Sequence, residues 1–266
     1  MLSLIVSVVS GVVVAVLLRG TMSDAWVITC GVASFFIVQL VIGLVIRQRM
    51  GIRQNAIQQV MAQAQDKINR QMVIYQRRPP SSMREAQETV NRIQTQAAHQ
   101  MLEILDGTNG LCLWNFMLKR QINAMRVQLY FQLKEFKKVD QLLPKALLLD
   151  QQSMAIKLVR SYRNGDFSGM AAFYRKKCRK LKGDGAAFIA CVYAWILLKQ
   201  DDAKTAIEVL TEAKKKSDNA VLTDNRDKLL NGKAKHFSNS GFGDAWYSLY
   251  LEEPKVKAQR QTGRMF

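Results

Sequence analysis

The side chains best suited to chemistry form a basic run with one cysteine inside it. Cys178 lies in the stretch Arg175-Lys-Lys-Cys-Arg-Lys180. Neighbouring cations lower the pKa of a thiol, so Cys178 has the sequence setting of a reactive cysteine. No second thiol is placed to resolve an oxidised sulfur, and a redox role is therefore not favoured.

The cations of this run form a basic patch, whose role is a separate question. Such a run is most often a solvated helix face, and RNA, DNA, anionic lipid or an acidic protein are the alternative contacts. Nucleic acid is not favoured as a partner, because no aromatic residue is interleaved in the run to stack on bases. The basic patch consists of Arg175, Lys176, Lys177, Arg179, Lys180 and Lys182.

No other residues have the spacing of a catalytic, cofactor or metal site. The sequence contains no G-x-x-x-x-G-K-[ST] loop, no G-x-S-x-G elbow and no H-E-x-x-H motif. The two histidines, His99 and His236, have no partner at ligand spacing. The adjacent acids Asp201 and Asp202 fall where one helix ends and the next begins, which predicts helix capping. We expect no enzyme activity, cofactor or metal.

The first predicted elements of the chain are two apolar runs. Leu2–Leu18 has seventeen residues and Ala25–Ile46 has twenty-two, both without a charge. A helix needs about 20 apolar residues to cross a bilayer, with about 17 as the lower limit. We therefore predict a transmembrane helical hairpin over residues 1–46. The alternative is a cleaved signal peptide at 2–18, but no Lys or Arg precedes Arg19 and the run exceeds the usual apolar core of about 7–15 residues.

Three arginines predict the orientation of this hairpin. Arg47, Arg49 and Arg53 follow the second apolar run directly. Lys and Arg collect on the cytoplasmic side of a membrane span, so both termini and the long C-terminal part are predicted to be cytoplasmic. The formal net charge of +18 lies entirely in this part. An anionic leaflet attracts such cations by about 1 kcal/mol each when they lie near its surface.

Residues 47–110 are predicted to form an amphipathic helical hairpin. Apolar residues recur at helical spacing on both sides of Pro79-Pro80, which a helix cannot pass. Ser82 with Glu85 three residues later is a capping box that predicts a new helix from Met83. The apolar stripe of each helix is narrow, so each helix needs a packing partner. That partner is the other helix, the next domain, or a second copy of the chain in a coiled coil.

An internal period predicts stacked helix pairs from residue 111 onward. Glu135-Phe136, Asp166-Phe167 and Asp202-Ala203 each fall in a break after a helix, at steps of 31 and 36 residues. With Ala194 in one helix and Ala206, Leu210 and Ala213 in the next, residues 115–220 resemble the tetratricopeptide repeat superfamily. Met170 and Lys177 depart from the small residues of that family, and Pro144 should kink or shift its helix. The resemblance implies about three helix pairs in residues 111–253. Residues 221–253 are predicted to form a C-terminal cap, with one helix that stops at Asn231-Gly232 and a short helix from Asp244 through Leu251.

The resemblance also implies a binding surface. Tetratricopeptide repeats hold partner peptides in a groove formed by the first helix of each pair. Carried over by position, the groove residues of this chain are Gln128, Phe131, Tyr162, Arg163, Phe188, Trp195 and Lys199. The alternative is that some of these side chains, Trp195 above all, are buried against the N-terminal helices.

The sequence thus predicts an all-α protein with a membrane hairpin, a helical linker, a helical-repeat domain and a basic tail at 254–266. We expect a membrane-anchored adaptor in the cell membrane that binds protein partners or copies of itself. A structural subunit of a larger membrane complex is one alternative. A peripheral binder of anionic lipid or RNA, whose binding falls with salt, is the other.

Overall fold

The computed structural model describes residues 2–21, 23–80 and 82–253, with the side chains of Met83 and Phe116 left out of the description. The predicted basic tail, 254–266, lies outside the described residues. The described part is all-helical and has no strand, which confirms the predicted fold class. The chain forms two compact units, Met1–Leu147 and Leu148–Phe266.

The first unit contains six helices. They are α1 (Leu2–Leu18), α2 (Asp24–Arg77), α3 (Met83–Asp106), α4 (Asn109–Cys112), α5 (Phe116–Gln132) and α6 (Phe136–Leu142). α2 has 54 residues, which corresponds to a length of about 80 Å at 1.5 Å per residue. It runs without a break through the predicted boundary at 46/47, so the second apolar run and the linker helix are one element.

Proline and serine set the bend between α2 and α3. α2 ends at Arg77, two residues before Pro79, as the proline pair predicts. Ser82 Oγ then accepts a hydrogen bond of 3.1 Å from the backbone N–H of Glu85, so half of the predicted capping box is formed at the start of α3. The two helices therefore pair within one chain rather than needing a second copy.

The α2–α3 pair is held by a small apolar core. Ile57, Ala97, Met101 and Leu105 are buried together with residues of α5. At the far end Tyr75 Oη donates to Thr89 Oγ1 over 3.1 Å.

Two stripe residues of α2 fall outside this core. Met61 and Met72, at helical spacing from Ile57, remain 56% and 48% exposed.

The described residues of the second unit also form six α-helices. They are α7 (Gln151–Arg163), α8 (Phe167–Lys176), α9 (Gly183–Leu198), α10 (Ala203–Lys214), α11 (Ala220–Leu230) and α12 (Asp244–Tyr247). α9 is the core of the unit, because every residue from Ala186 to Leu197 is buried. α7 and α10 pack on α9, and α11 packs on α10.

The predicted period corresponds to one recurring backbone turn. The N–H groups of Glu135, Asp166 and Asp202 donate to the carbonyls of Tyr130, Ser161 and Leu197 over 2.9, 2.9 and 3.0 Å. The preceding residue has positive φ in each case, at Lys134 (60°), Gly165 (72°) and Asp201 (58°). This is the Schellman ending of a helix, and it reverses the chain into the second helix of each pair.

Proline ends the second helix of the first pair rather than kinking it. α6 stops at Leu142, and Leu143–Lys145 continue as one 3-10 turn that contains Pro144. The ring of Pro144 removes the N–H that an α-helix would use there.

The C-terminal part is less helical than predicted. α11 ends before Asn231-Gly232 as expected, but the predicted helix from Asp244 through Leu251 is only the four-residue α12. Tyr250 at φ 54° ends the helical backbone before Leu251.

Candidate functional site

The first candidate site is the seam between α1 and α2, where glycines allow a close approach. A Cβ added to Gly11 would lie 2.8 Å from the carbonyl oxygen of Gly31, and one added to Gly31 would lie 3.0 Å from that of Gly11. A side chain at Gly11 would force the two backbones apart, and even a Cβ at Gly31 would require the backbone of α1 to move by a few tenths of an ångström. Of the small residues in the apolar runs, Gly43 takes no part, because a Cβ there would meet nothing within 4 Å.

Polar side chains line the same seam. Ser10 and Ser34 approach to 2.9 Å between their hydroxyl oxygens, and Ser7 Oγ lies 2.9 Å from Gln39 Oε1. Ser3 and Ser7 are buried. Hydrogen bonds between helices of this kind are used where lipid offers polar groups no other partner.

The outer surface of the hairpin is apolar on all sides. Nineteen large apolar residues of α1 and the first part of α2 are exposed, among them Val16 (64%), Leu17 (73%), Ile28 (66%) and Phe36 (63%). A soluble hairpin buries its large apolar side chains and exposes its serines, and this hairpin does the reverse. α2 is the one described helix long and apolar enough to cross a membrane by the usual 18-residue criterion.

The end of the hairpin at which α1 begins is tied to the rest of the first unit. The N–H of Leu2 donates to the carbonyl of Leu113 over 3.2 Å, and Ser3 Oγ donates to the carbonyl of Trp114 over 2.8 Å. The first N–H groups of a helix lack partners within it, and the Leu113–Trp114 segment supplies one. Arg47, Arg49 and Arg53 lie on α2 at this level and are exposed.

The predicted groove residues of the first unit are only partly available. Phe131 is 3% exposed and packs against Phe136 with ring centroids 5.5 Å apart, so it belongs to the core of the α5–α6 pair. Gln128, one turn earlier, is half-buried. The prediction of an open aromatic anchor at Phe131 is therefore corrected, because α6 folds back onto it.

The predicted groove of the second unit is occupied by the chain's own C-terminal segment. Phe188 and Trp195 are 2% and 8% exposed. Phe188 packs on Phe242 at 5.3 Å, and Trp195 packs on Trp246 at 5.7 Å. The prediction that these two side chains face an open groove is corrected, because the last helix pair leaves an apolar face that residues 239–252 cover.

A carboxylate holds residues 239–252 in place through hydrogen bonds. Glu252 accepts hydrogen bonds from the indole N–H of Trp195 over 2.7 Å and from that of Trp246 over 3.1 Å. Asn239 Nδ2 donates to the carbonyl of Cys191 over 3.0 Å, and Asn239 is fully buried. The segment is therefore held by buried polar bonds as well as by ring packing.

The other predicted groove residues surround the same contact. Tyr162 lies edge-on to Trp195 at 6.1 Å, and Lys199 Nζ lies 5.1 Å from the centre of the Trp195 ring. Arg163 donates to the carbonyl of Tyr250 over 3.3 Å. These three residues therefore lie around the contact between α9 and the C-terminal segment.

The basic patch is exposed at all six positions, as expected of a solvated face. Arg179 is not free in it, because its guanidinium pairs with Glu212 over 2.5 Å. This ion pair lowers the pKa of Glu212 and raises that of Arg179. The remaining five cations have no such carboxylate partner among the described residues.

The environment of Cys178 in the structure is not the one that its basic neighbours in the sequence predicted. Its side chain points inward and is 3% exposed. Burial raises the pKa of the Cys178 thiol to about 12, which outweighs the cations on either side. The expectation of a lowered thiol pKa is corrected, because the cations lie in solvent while the sulfur lies in the core.

The acid pair caps a helix, as predicted. Asp202 accepts a hydrogen bond of 3.0 Å from the N–H of Thr205 at the start of α10. Hydrogen bonds from Thr205 lower the pKa of Asp202. Among the described residues no three His, Cys, Asp or Glu side chains are grouped to hold a metal ion.

Two sets of residues escaped the sequence analysis. The seam of α1 has a readable signal, since Ser3, Ser7 and Gly11 recur every four residues in an otherwise large-residue run. Glu252 and Asn239 have no such signal, because their partners lie 57 and 48 residues away in sequence.

No protein-family model matches this chain, and no curated protein or solved structure is similar enough to count as a relative or a structural neighbour.

Proposed function

We propose that this protein is a membrane-anchored scaffold whose N-terminal hairpin crosses the cell membrane twice and holds its helical units at the cytoplasmic face. The observation that carries the proposal is the inverted hairpin, with serine, glycine and glutamine inside and large aliphatic side chains outside. That arrangement is favourable in hydrocarbon and unfavourable in water.

The continuous α2 helix supports a spacer role. Residues 47–77 extend past the last apolar residue, Ile46, in the same helix. At 1.5 Å per residue they reach about 45 Å from the proposed membrane surface. Since α3 returns along α2, this part is a two-helix stalk rather than a flexible linker. Anchoring raises the local concentration of any partner, so modest affinity at one site suffices.

The helical-repeat character of the C-terminal part favours binding of proteins. The shared turn geometry of three helix pairs and the covered face of the last pair support a helical-repeat character. Because residues 239–252 already fill the predicted groove of the second unit, we place partner contacts on its remaining surface, which includes Arg163, Lys199 and the basic patch.

A second candidate function is a fixed subunit of a larger membrane complex. It is favoured by the exposed apolar residues Met72, Val73 and Ile74 near the tip of the stalk, which are 48%, 49% and 51% exposed. Adjacent apolar side chains of this kind are typical of a permanent contact.

The test is purification of the tagged full-length chain in mild detergent at about 0.1 M and 0.5 M salt, a range that screens exposed charges. Mass spectrometry identifies co-purifying chains, and light scattering gives the particle mass. Partners kept at both salts in exchangeable amounts support the scaffold, and a fixed ratio supports the complex subunit. A lone chain at high salt, with lipid or RNA lost between the two conditions, contradicts both and favours an electrostatic role.

Insertion and orientation are tested separately in intact cells. Alkaline carbonate should leave the chain in the membrane. A cysteine introduced in the turn after Leu18 should react with an impermeant maleimide from outside, whereas one at Arg78 should react only after lysis. Extraction by carbonate, or labelling of the Arg78 site from outside, contradicts the proposed topology.

A further inference from the structure

A cleft opens at the cytoplasmic base of the hairpin, beside the last turns of the proposed span. It has a volume of about 530 Å³. Its walls come from α2 on one side and from the turn between α3 and α5 on the other. The lining residues are Arg49, Ile52, Arg53, Gly107, Gly110, Leu111 and Trp114.

The charged side chains that line this cleft are both positive. Arg49 and Arg53 lie one helical turn apart on α2, so both guanidinium groups lie on the same face. No carboxylate is among the lining residues. Neither guanidinium has an ion pair or hydrogen bond within the part of the chain that the structure describes. Two adjacent arginines without an anion are suited to a phosphate, which they bind through paired N–H donors.

The opposite wall fixes Arg53 and leaves room beside it. A Cβ on Gly107 would lie 3.2 Å from Arg53 Nη1, so the guanidinium is packed directly over this glycine. Gly107 caps the C-terminus of α3, where the helix dipole favours a cation. A Cβ on Gly110 would meet nothing within 4 Å, so the cleft is open at that point.

Arg49 lies at the depth of the headgroup layer of a bilayer, and Arg53 lies just beyond the outer edge of that layer. Arg49 and Arg53 follow Ile46 by three and seven residues, which places them about 5 and 10 Å beyond the apolar run. The polar layer of each leaflet is about 5–8 Å thick.

Apolar groups lie at the same level. Trp114 accepts its hydrogen bond from Ser3 in the first turn of α1, and Leu113 beside it is 63% exposed. Trp at the boundary and Leu facing outward are suited to the glycerol and acyl region of a lipid.

From this geometry we infer that the cleft binds the phosphate of one anionic phospholipid, with Arg49 and Arg53 holding the headgroup and Trp114 and Leu111 contacting the glycerol region. The inference rests on the proposed insertion of the hairpin. The bound lipid ties α2 to the α3–α5 turn at the membrane surface, so it stabilises the angle at which the stalk leaves the bilayer.

The experiment is native mass spectrometry of the delipidated full-length protein in detergent, titrated with phosphatidylglycerol and with phosphatidylcholine. We expect one saturable phosphatidylglycerol site. R49Q/R53Q should weaken it by at least about tenfold, as expected for two charge-assisted contacts. The matched control R47Q/R78Q removes the same charge outside the cleft and should change the affinity less than about twofold.

A second pair of variants keeps every charge. G110L should fill the open part of the cleft and weaken the site as strongly as R49Q/R53Q, whereas G110A should not. Equal losses in R49Q/R53Q and R47Q/R78Q would overturn the inference in favour of general attraction to anionic lipid. An unchanged affinity in R49Q/R53Q would overturn it as well.

The source of the phosphate is tested with glycerol 3-phosphate. It carries the phosphate and the glycerol but no acyl chains, so it should not compete at millimolar concentration if the site requires a lipid. Competition at the affinity of the lipid would assign the cleft to a soluble phosphate and overturn the lipid assignment. Carbonate extraction of the same protein separates the two proposals, since a membrane-retained chain without a lipid site contradicts only this inference.

Discussion

Gly11 of α1 and Gly31 of α2 face each other so closely that a side chain at either position would press against the backbone of the other helix. A Cβ on Gly11 would lie 2.8 Å from the carbonyl oxygen of Gly31. Next to this contact the hydroxyls of Ser10 and Ser34 approach to 2.9 Å, one residue before Gly11 and three residues after Gly31. Backbone packing and hydrogen bonds thus hold a pair of helices for which apolar burial gives little advantage in lipid.

The first prediction concerns this contact. Replacing Gly31 with Leu should separate the helices, because a large side chain forced into a packed contact costs about 1–3 kcal/mol. The readout is a disulfide between S10C and S34C, formed in membranes by a mild oxidant in a background where Cys30 is serine. Cleavage at a protease site in the turn reveals whether the disulfide joins the two helices.

Gly43 provides the control on the same helix. Because a Cβ on Gly43 meets nothing within 4 Å, G43L should leave the S10C–S34C cross-link intact. Cross-linking of G31L at the unsubstituted level would contradict the seam described here.

The second prediction concerns the adjacent acids at the turn before α10. D202A removes the cap on Thr205 and should lower the free energy of unfolding by about 1 kcal/mol. D201G should leave it unchanged or raise it by up to about 1 kcal/mol, because Asp201 has φ 58° and glycine adopts this conformation more easily. Urea unfolding followed by circular dichroism measures both, and equal effects would contradict the assigned roles.

The third prediction gives the pH dependence of the same cap. The pKa of Asp202 is lowered in the folded chain by its hydrogen bonds to Thr205. The ionised carboxylate of Asp202 therefore contributes fully to the free energy of unfolding above the ordinary aspartate pKa of 3.8. This contribution is lost as the pH falls through the lower pKa of the folded chain. The stability difference between the unsubstituted chain and D202A should shrink below about pH 4. A difference that grows on acidification would reverse the assigned sign.

The fourth prediction concerns the hydrogen bonds that Glu252 accepts from Trp195 and Trp246. E252A leaves two indole N–H groups without their acceptor and should destabilise the C-terminal segment by about 1 kcal/mol or more. Hydrogen–deuterium exchange should rise in residues 237–252, and tryptophan emission should shift to the red. E253A, one residue away, is the control and should change neither signal.

The fifth prediction concerns the reactivity of Cys178. With its pKa raised to about 12, the thiolate fraction at pH 8 is on the order of 10⁻⁴. Alkylation by N-ethylmaleimide in a variant whose only cysteine is Cys178 should be slow until urea unfolds the chain. C178S/K180C in the same background places an exposed thiol in the same basic run and should react quickly. Equal rates would contradict the buried placement of Cys178.

The periodic features of this chain were predictable because they are local. Capping at Ser82, the stop at Pro79-Pro80 and the turns at Glu135, Asp166 and Asp202 depend on residues within one helical turn of each other. The two apolar runs are readable for a similar reason, since helix formation in lipid is required of every backbone group. The sequence by itself therefore determined the all-helical class and the positions of the turns.

Only the tertiary structure decided which faces of these helices are covered. Phe188 and Trp195 have the composition of binding anchors, and their burial depends on a segment about 50 residues further along the chain. Cys178 carries the same cationic neighbours in sequence whether it points into solvent or into the core. The cleft between Arg53 and Gly107 likewise joins residues 54 positions apart. Burial and cavities depend on contacts between distant residues, and these are set by packing that no local pattern encodes.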